Sequence, residues 1–139
     1  MVTAMKRPSS SPAVNGERTK AMRKDDLIFR INRVIRAIES TTGLDELDLS
    51  SRAILNFIGE AESQEKLLNV SDIVKGPGFG TAPTVYSRIA ELERTGWIKC
   101  VPDPNDGRAK HVRLTPVARR TFAKMSAETQ KLFTRSSKA

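Results

Sequence analysis

The sequence has very few of the side chains from which catalytic and metal centres are built. Its 139 residues include one cysteine and one histidine, and aromatic residues make up 5%. A single cysteine excludes an internal disulfide and the cysteine-built zinc sites of small domains. A single histidine leaves no partner for a histidine-based cluster. We therefore expect no enzyme activity, no metal site and no cofactor.

Long apolar runs are also missing. No stretch approaches the ~20 apolar residues of a membrane helix. The first twenty residues lack the apolar region of a signal peptide. We therefore expect a cytoplasmic protein with no membrane partner, in a reducing compartment that suits one unpaired thiol.

Positive charge is in excess, and it is unevenly distributed. Lysine and arginine total 24 against 16 acidic residues, which gives a net charge of +8. Residues 25–65 carry nine acidic and four basic side chains, whereas residues 66–139 carry six and fourteen. A basic balance indicates a polyanionic partner such as nucleic acid, and the second half should face it. We interpret residues 1–24 as a disordered basic tail that either contacts phosphates or is simply solvated.

Hydrophobic spacing predicts a mainly helical chain. Segment 25–41 has a broad apolar stripe at helical spacing. A second helix is expected over 51–64, capped by Ser50 or Ser51, with these residues facing inward: Ala53, Ile54, Phe57, Ile58 and Ala61. Residues 66–70 form a connector or one strand. A short helix capped by Ser71 then ends at the glycine-rich turn 76–80.

The next helix, residues 81–95, has two different faces. Val85, Ile89 and Leu92 form a narrow buried stripe. The opposite face carries small residues near its N-terminus, including Ser87 and Ala90. Small polar side chains there suit close approach to base edges in a major groove.

A hairpin and a last helix complete the predicted fold. The first strand contains Trp97, Ile98 and Val101, the second spans 109–114, and the turn between them has the sequence DPNDGR. The last helix, 116–134, is capped by Thr115, and residues 136–139 should fray. Its loose apolar stripe consists of Val117, Ala118, Phe122, Met125, Leu132 and Phe133.

Two helices joined by a turn and followed by a hairpin make a winged helix-turn-helix. The run TVYSRIAELERTGWIKCVPDPNDGRAKHVRLTP, with its LERTGWI, DPNDGR and LTP pieces, resembles the recognition helix and wing of the MarR (multiple antibiotic resistance regulator) family. The resemblance covers residues 25–131 and implies a mainly α fold with a small β-hairpin wing. Residues 25–135 would form this domain, flanked by dimerisation helices 25–41 and 116–134. The turn 76–80 is longer than is usual in the family.

The resemblance and the charge pattern together assign candidate site residues. For DNA contact they are Thr81, Thr84, Ser87, Arg88, Lys99, Arg108, Lys110 and Arg113, with Arg108 at the minor groove and Thr81 as a cap or phosphate contact. For the dimer interface they are Leu27, Ile28, Ile31, Val34, Ile35, Ile38, Phe122, Met125 and Leu132. Two alternatives stay open: Arg108 could pair with Asp106 or Asp103, and Arg88 with Glu91.

The function expected is that of a homodimeric, sequence-specific transcriptional regulator, a repressor at the nucleoid that binds a pseudo-palindromic operator in double-stranded DNA. Helix 81–95 would enter the major groove, and the wing, 97–115, would lie at the minor groove. One alternative is a DNA-binding module in replication, plasmid maintenance or chromosome organisation without ligand switching. Another is a winged helix that binds only protein. The family often binds aromatic effectors, but no residue identifies one here, and we interpret Cys100 as an inert thiol.

Overall fold

The computed structural model describes residues 23–108 and 110–138, so nearly all of the predicted basic tail lies outside the described residues. The helices are α1 (Asp26–Thr42), α2 (Leu49–Ser63), α3 (Val70–Val74), α4 (Ala82–Arg94) and α5 (Pro116–Lys138), with a 3-10 turn at Leu44–Glu46. The strands are β1 (Leu68–Asn69), β2 (Ile98–Pro102) and β3 (Lys110–Leu114). Mainly helical structure with a small hairpin confirms the predicted winged helix-turn-helix.

One hydrophobic core joins the helices to the sheet. Ile54, Leu55 and Ile58 of α2 are fully buried and pack with Val85 and Leu92 of α4. The core extends through the sheet and the outer helices to Ile38, Ile98, Val112, Ala118 and Met125. Because both α2 and the sheet contact α4, the orientation of α4 is set by the core itself.

The antiparallel sheet has the strand order β1-β3-β2, so β3 is its central strand. Strands β2 and β3 pair from Ile98 opposite Leu114 to Pro102 opposite Lys110. Strand β1 adds a short third strand by pairing Leu68 with Val112. The sequence allowed either a connector or a strand at residues 66–70, and the structure resolves this in favour of a strand.

Helix starts differ from the sequence prediction in two places. Asp48, rather than Ser50 or Ser51, caps α2, since its side chain accepts a hydrogen bond from the Ser51 amide at 2.8 Å. Asn69, rather than Ser71, caps α3 in a reciprocal capping box with Asp72. In both cases the helix begins earlier than predicted, which places the serines inside its first turn.

The inward face of α2 and the end of α5 also differ. Ala53 is exposed, whereas Leu55 lies in the core. Helix α5 continues to Lys138 because neither glycine nor proline interrupts it after Pro116. At its start, Thr115 accepts the Ala118 amide at 3.2 Å, which confirms the predicted cap. None of the helices within the described residues is long and apolar enough to cross a membrane.

Candidate nucleic-acid interface

Helix α4 presents its predicted outer face to solvent. Val85, Ile89 and Leu92 are buried, as the spacing predicted, and Ser87 and Ala90 are exposed on the other side. Pro83 lies in the first turn, where its missing N–H costs no hydrogen bond. The N-terminal half of α4 is therefore anchored to the core on one face and exposed to solvent on the opposite face.

The first turn of α4 is organised differently from the prediction. Thr81 is the residue before the helix, but its hydroxyl makes no capping bond to the backbone. It donates instead to the Thr84 hydroxyl at 3.1 Å. The expectation that the Thr81 hydroxyl caps the helix is therefore wrong, since the hydroxyl points along the exposed edge of α4.

The glycine-rich turn before α4 is attached to the body of the domain. The Phe79 ring packs edge-on against Phe57, with 5.3 Å between the ring centres, and the Phe79 carbonyl accepts the Ser50 hydroxyl at 2.8 Å. Gly78 and Gly80 have φ angles of 80° and 130°, which side chains rarely adopt. The turn is therefore a fixed approach to α4, positioned by α2.

The wing and α4 line a common groove. Arg108 and Lys110 from the wing lie there with Tyr86, Ala90 and Glu93 of α4. The start of α3 contributes Ser71 to the same groove. Tyr86, which is 54% exposed, was not among the predicted contacts, although its place beside Ser87 on the helix could have indicated it.

The other two wing cations lie on the opposite face of the sheet. Cross-strand partners share a face, and successive residues alternate between faces. Lys110 therefore shares a face with the inward-facing Val112, whereas Lys99 and Arg113, which are partners in the β2–β3 register, lie on the other face. The structure brings Arg108 and Lys110 to α4 and does not bring Lys99 or Arg113 there.

Carboxylates in the wing turn hold its backbone. Asp103 accepts the Asn105 amide at 2.7 Å, and Asp106 accepts the Arg108 amide at 3.1 Å. Asp103 Oδ2 also lies 2.8 Å from His111 Nε2. The Asn105 amide, followed by His111, lowers the pKa of Asp103 below its usual value. Among the described ion pairs none involves the Arg108 guanidinium, so the structure does not show the alternative pairing with Asp103 or Asp106.

Glu62 of α2 joins the root of the wing to the last helix. Its Oε2 accepts the Leu114 amide at 2.7 Å and the Arg113 Nε at 3.3 Å, and its Oε1 accepts from Arg119 at 2.9 Å. The Glu62 side chain is only 15% exposed. Arg113 is therefore engaged within the protein, and sequence spacing could not reveal a partner 51 residues away.

Arg88 of α4 also has a distant partner. Its Nε lies 3.0 Å from Oδ2 of Asp48, the residue that caps α2. Glu91, the partner considered from the sequence, pairs with Arg94 instead. The pKa of Asp48 is lowered, first by the hydrogen bond from the Ser51 backbone and further by Arg88, so this carboxylate remains charged at neutral pH.

Cys100 lies on β2 beside Glu93, whose carboxylate accepts the Cys100 amide at 3.4 Å. Burial, and then the Glu93 charge, raise the pKa of the thiol. A thiol with a raised pKa carries little thiolate and reacts slowly. Within the described ranges no group of three or more His, Cys, Asp or Glu side chains could hold a metal ion.

The candidate dimer residues divide into two sets. Ile38 and Met125 are buried in the chain's own core, at 5% and 7% exposure. Ile28 is 52% exposed, and the remaining candidates are half-buried: Leu27, Ile31, Val34, Ile35, Phe122 and Leu132. Phe29 and Phe133, at 57% and 49%, add exposed apolar area that the prediction of the interface omitted.

A core-anchored helix with a small exposed face, beside a hairpin with a basic tip, defines a winged helix of the DNA-binding type. The chain belongs to the winged helix DNA-binding domain family, whose model matches residues 47–118, more than half of the sequence. No curated protein has a significant sequence match to this chain.

Solved structures share this fold at low sequence identity. A variant of MepR from S. aureus bound to an oligodeoxyribonucleotide is 19% identical, covers 82% of each chain and has a TM-score of 0.52. Tm0710 from Thermotoga maritima is 18% identical over 79% of this chain and 72% of its own, with a TM-score of 0.56. YusO from Bacillus subtilis is 16% identical over 92% and 83%, with a TM-score of 0.50. These structures share the winged helix fold with this chain, which confirms the fold that the resemblance implied.

Proposed function

We propose that the chain is a sequence-specific transcriptional regulator that binds double-stranded DNA as a homodimer and represses by occupying a pseudo-palindromic operator. Helix α4 enters the major groove, and the wing, residues 97–115, lies at the minor groove. The observation that carries this proposal is the groove in which Arg108 and Lys110 flank the exposed face of α4.

The chemistry of this groove fits a nucleic acid. Ala90 in the groove, and the exposed Ser87 outside it on the same helix, allow the helix backbone to come close to base edges, and the two wing cations supply attraction to phosphates. Arg108 is exposed at the wing tip, where an arginine gains from the negative potential of a narrow minor groove. The MepR variant bound to an oligodeoxyribonucleotide shares the fold, which supports a nucleic-acid partner for this chain.

Two other predicted contacts receive different roles in this proposal. Arg113 stiffens the root of the wing through Glu62, and Lys99 reaches only phosphates that pass the outer face of the sheet. Thr81 and Thr84 lie at the exposed start of α4, within reach of a phosphate or a base edge.

The exposed apolar surface of α1 and α5 supports the proposed dimerisation. Ile28, Phe29 and Phe133 are each about half exposed, and Phe133 lines a groove between the two helices with the half-buried Ile31, Ile35 and Phe122. Two recognition helices related by a twofold axis would read half-sites about one DNA turn apart. Sedimentation equilibrium tests this directly, with twice the chain mass expected and the mass of one chain contradicting it.

The test of the DNA interface is Arg108→Ala on a duplex selected from random DNA. Each cation that no longer neutralises a DNA phosphate makes the slope of log affinity against log salt shallower by about 0.9. A dimer loses two such cations, so its slope should become shallower by about 1.8. The matched control is Arg120→Ala, which also removes an exposed charge, from α5. An unchanged slope assigns Arg108 to the structure of the wing.

A genome-wide map of bound sites separates regulation from other DNA-binding roles. Discrete sites at promoters support a regulator. Diffuse occupancy favours the module for replication, plasmid maintenance or chromosome organisation, and failure to bind any duplex at low salt favours a winged helix that binds only protein.

A further inference from the structure

Asp48 links two elements that the sequence keeps far apart. Its Oδ1 accepts the Ser51 amide at 2.8 Å and so caps α2, while its Oδ2 lies 3.0 Å from Arg88 Nε on α4. A backbone hydrogen bond therefore fixes the carboxylate relative to α2. Because α2 and α4 share the hydrophobic core, this fixed carboxylate also constrains the Arg88 side chain.

The guanidinium of Arg88 is only partly engaged within the domain. Its Nε is buried and makes no hydrogen bond of good geometry, so Asp48 restrains it through charge at 3.0 Å; the side chain as a whole is 38% exposed. Among the described residues no hydrogen bond or ion pair occupies Nη1 or Nη2. A guanidinium whose Nε side faces a carboxylate still presents Nη1 and Nη2 as a planar pair of donors, the geometry that matches O6 and N7 of guanine.

The other arginine of α4 is arranged differently. Arg94 uses both Nε, at 3.1 Å, and Nη2 on Glu91, three residues earlier on the same helix. Its side chain is 70% exposed and lies in the last turn of α4. Arg88 is therefore the arginine of α4 that is both restrained by a second element and open at its terminal nitrogens.

We propose that Asp48 is a positioning residue that holds Arg88 for hydrogen bonding to a guanine, and so sets a G·C preference at one position of each half-site. This inference rests on the proposed DNA-binding function. An unrestrained arginine reaches neighbouring phosphates or alternative base edges, which adds affinity without discrimination. The fixed carboxylate also repels phosphate, so Arg88 is directed towards the bases.

The test uses Asp48→Asn, since asparagine caps helices as well as aspartate does but carries no charge. Binding is measured at one salt concentration to the duplex selected by the wild type, to duplexes with each G·C pair changed to A·T, and to an unrelated duplex. We expect the preference at one G·C position to fall roughly tenfold, as for loss of one good bidentate contact. Affinity for the unrelated duplex should stay the same or rise.

Two further variants connect the effect to Arg88. Arg88→Lys keeps the charge but loses the planar donor pair, and it should remove the preference at the same G·C position. In the double variant the two effects should not add, because both act through one contact. Asp45→Asn, which removes an exposed charge from the adjacent 3-10 turn, is the control and should leave the preference unchanged.

The outcomes separate this inference from the proposed function. If the wild type selects a site but Asp48→Asn retains its full preference, or loses it at a position that Arg88→Lys does not affect, the inference is overturned and the proposed function stands. If the wild type selects no sequence, both are overturned. A thermal melt, together with Asp48→Ser as a second uncharged cap, shows whether the variants are folded.

Discussion

Glu62 should stabilise the domain more than its position on a helix surface suggests. It is one carboxylate that receives the Leu114 amide of β3, Arg113 of β3 and Arg119 of α5. Replacing it with alanine removes three interactions between α2, the root of the wing and the last helix. Replacing it with glutamine keeps an oxygen for the amide but removes the charge.

The magnitude follows from the burial of each partner. Leu114 is 6% exposed, and an unpaired buried amide costs about 1–3 kcal/mol. The Arg113 and Arg119 side chains are 37% and 48% exposed, so each ion pair contributes only about 0–1 kcal/mol. We expect Glu62→Ala to cost about 3 kcal/mol and Glu62→Gln about 1 kcal/mol. At about 4 °C per kcal/mol, Tm should fall by roughly 12 °C and 4 °C.

Circular dichroism melts at one fixed protein concentration measure this, since the Tm of the proposed dimer would depend on concentration. Glu60→Ala is the matched control, because Glu60 is exposed on the same helix and its side chain has no ion pair among those described. Equal losses for Glu62→Ala and Glu62→Gln would refute the argument from the unpaired amide. A fall in Tm for Glu60→Ala as large as that for Glu62→Ala would show that the contacts specific to Glu62 do not account for its stabilising effect.

Three further predictions concern the turn before α4 and the wing. Phe79→Ala removes the contact with Phe57 and should lower the free energy of unfolding by about 2 kcal/mol, which a urea titration measures as a lower midpoint. Binding to the selected duplex should also weaken. A lower midpoint with unchanged binding would contradict a role of Phe79 in positioning α4. Cys100 should react with iodoacetamide much more slowly in the native protein than in urea, because burial and Glu93 raise its pKa, and equal rates would contradict this. Asp103 should titrate by NMR below its usual 3.8, and its stabilising effect, present above that pH, should be lost as the pH falls through the lowered pKa. In His111→Gln the midpoint should rise only partly, because the Asn105 amide is the larger cause; a full return to 3.8 would contradict that order.

Much of the fold could be predicted because its signals are local. The stripe of Val85, Ile89 and Leu92 needs only the period of a helix, and Thr115 with Pro116 needs only the chemistry of a first turn. The DPNDGR turn carries its own hydrogen-bonding groups, as the Asn105 and Arg108 amides show. Helix caps are harder to predict from sequence, because several polar residues precede α2 and only the backbone angles of Asp48 distinguish the true cap.

The sequence by itself determined the order of elements, the buried face of the recognition helix and the basic character of the wing, because these depend on neighbours within a few residues. Only the tertiary structure decided which basic side chains are paired within the domain and which face the groove beside α4. It paired Arg88 with Asp48 and Arg113 with Glu62, and it placed Lys99 on the sheet face away from Lys110. Spacing along a helix reveals partners three or four residues away, whereas these partners meet only when α2, α4 and the sheet close around one core.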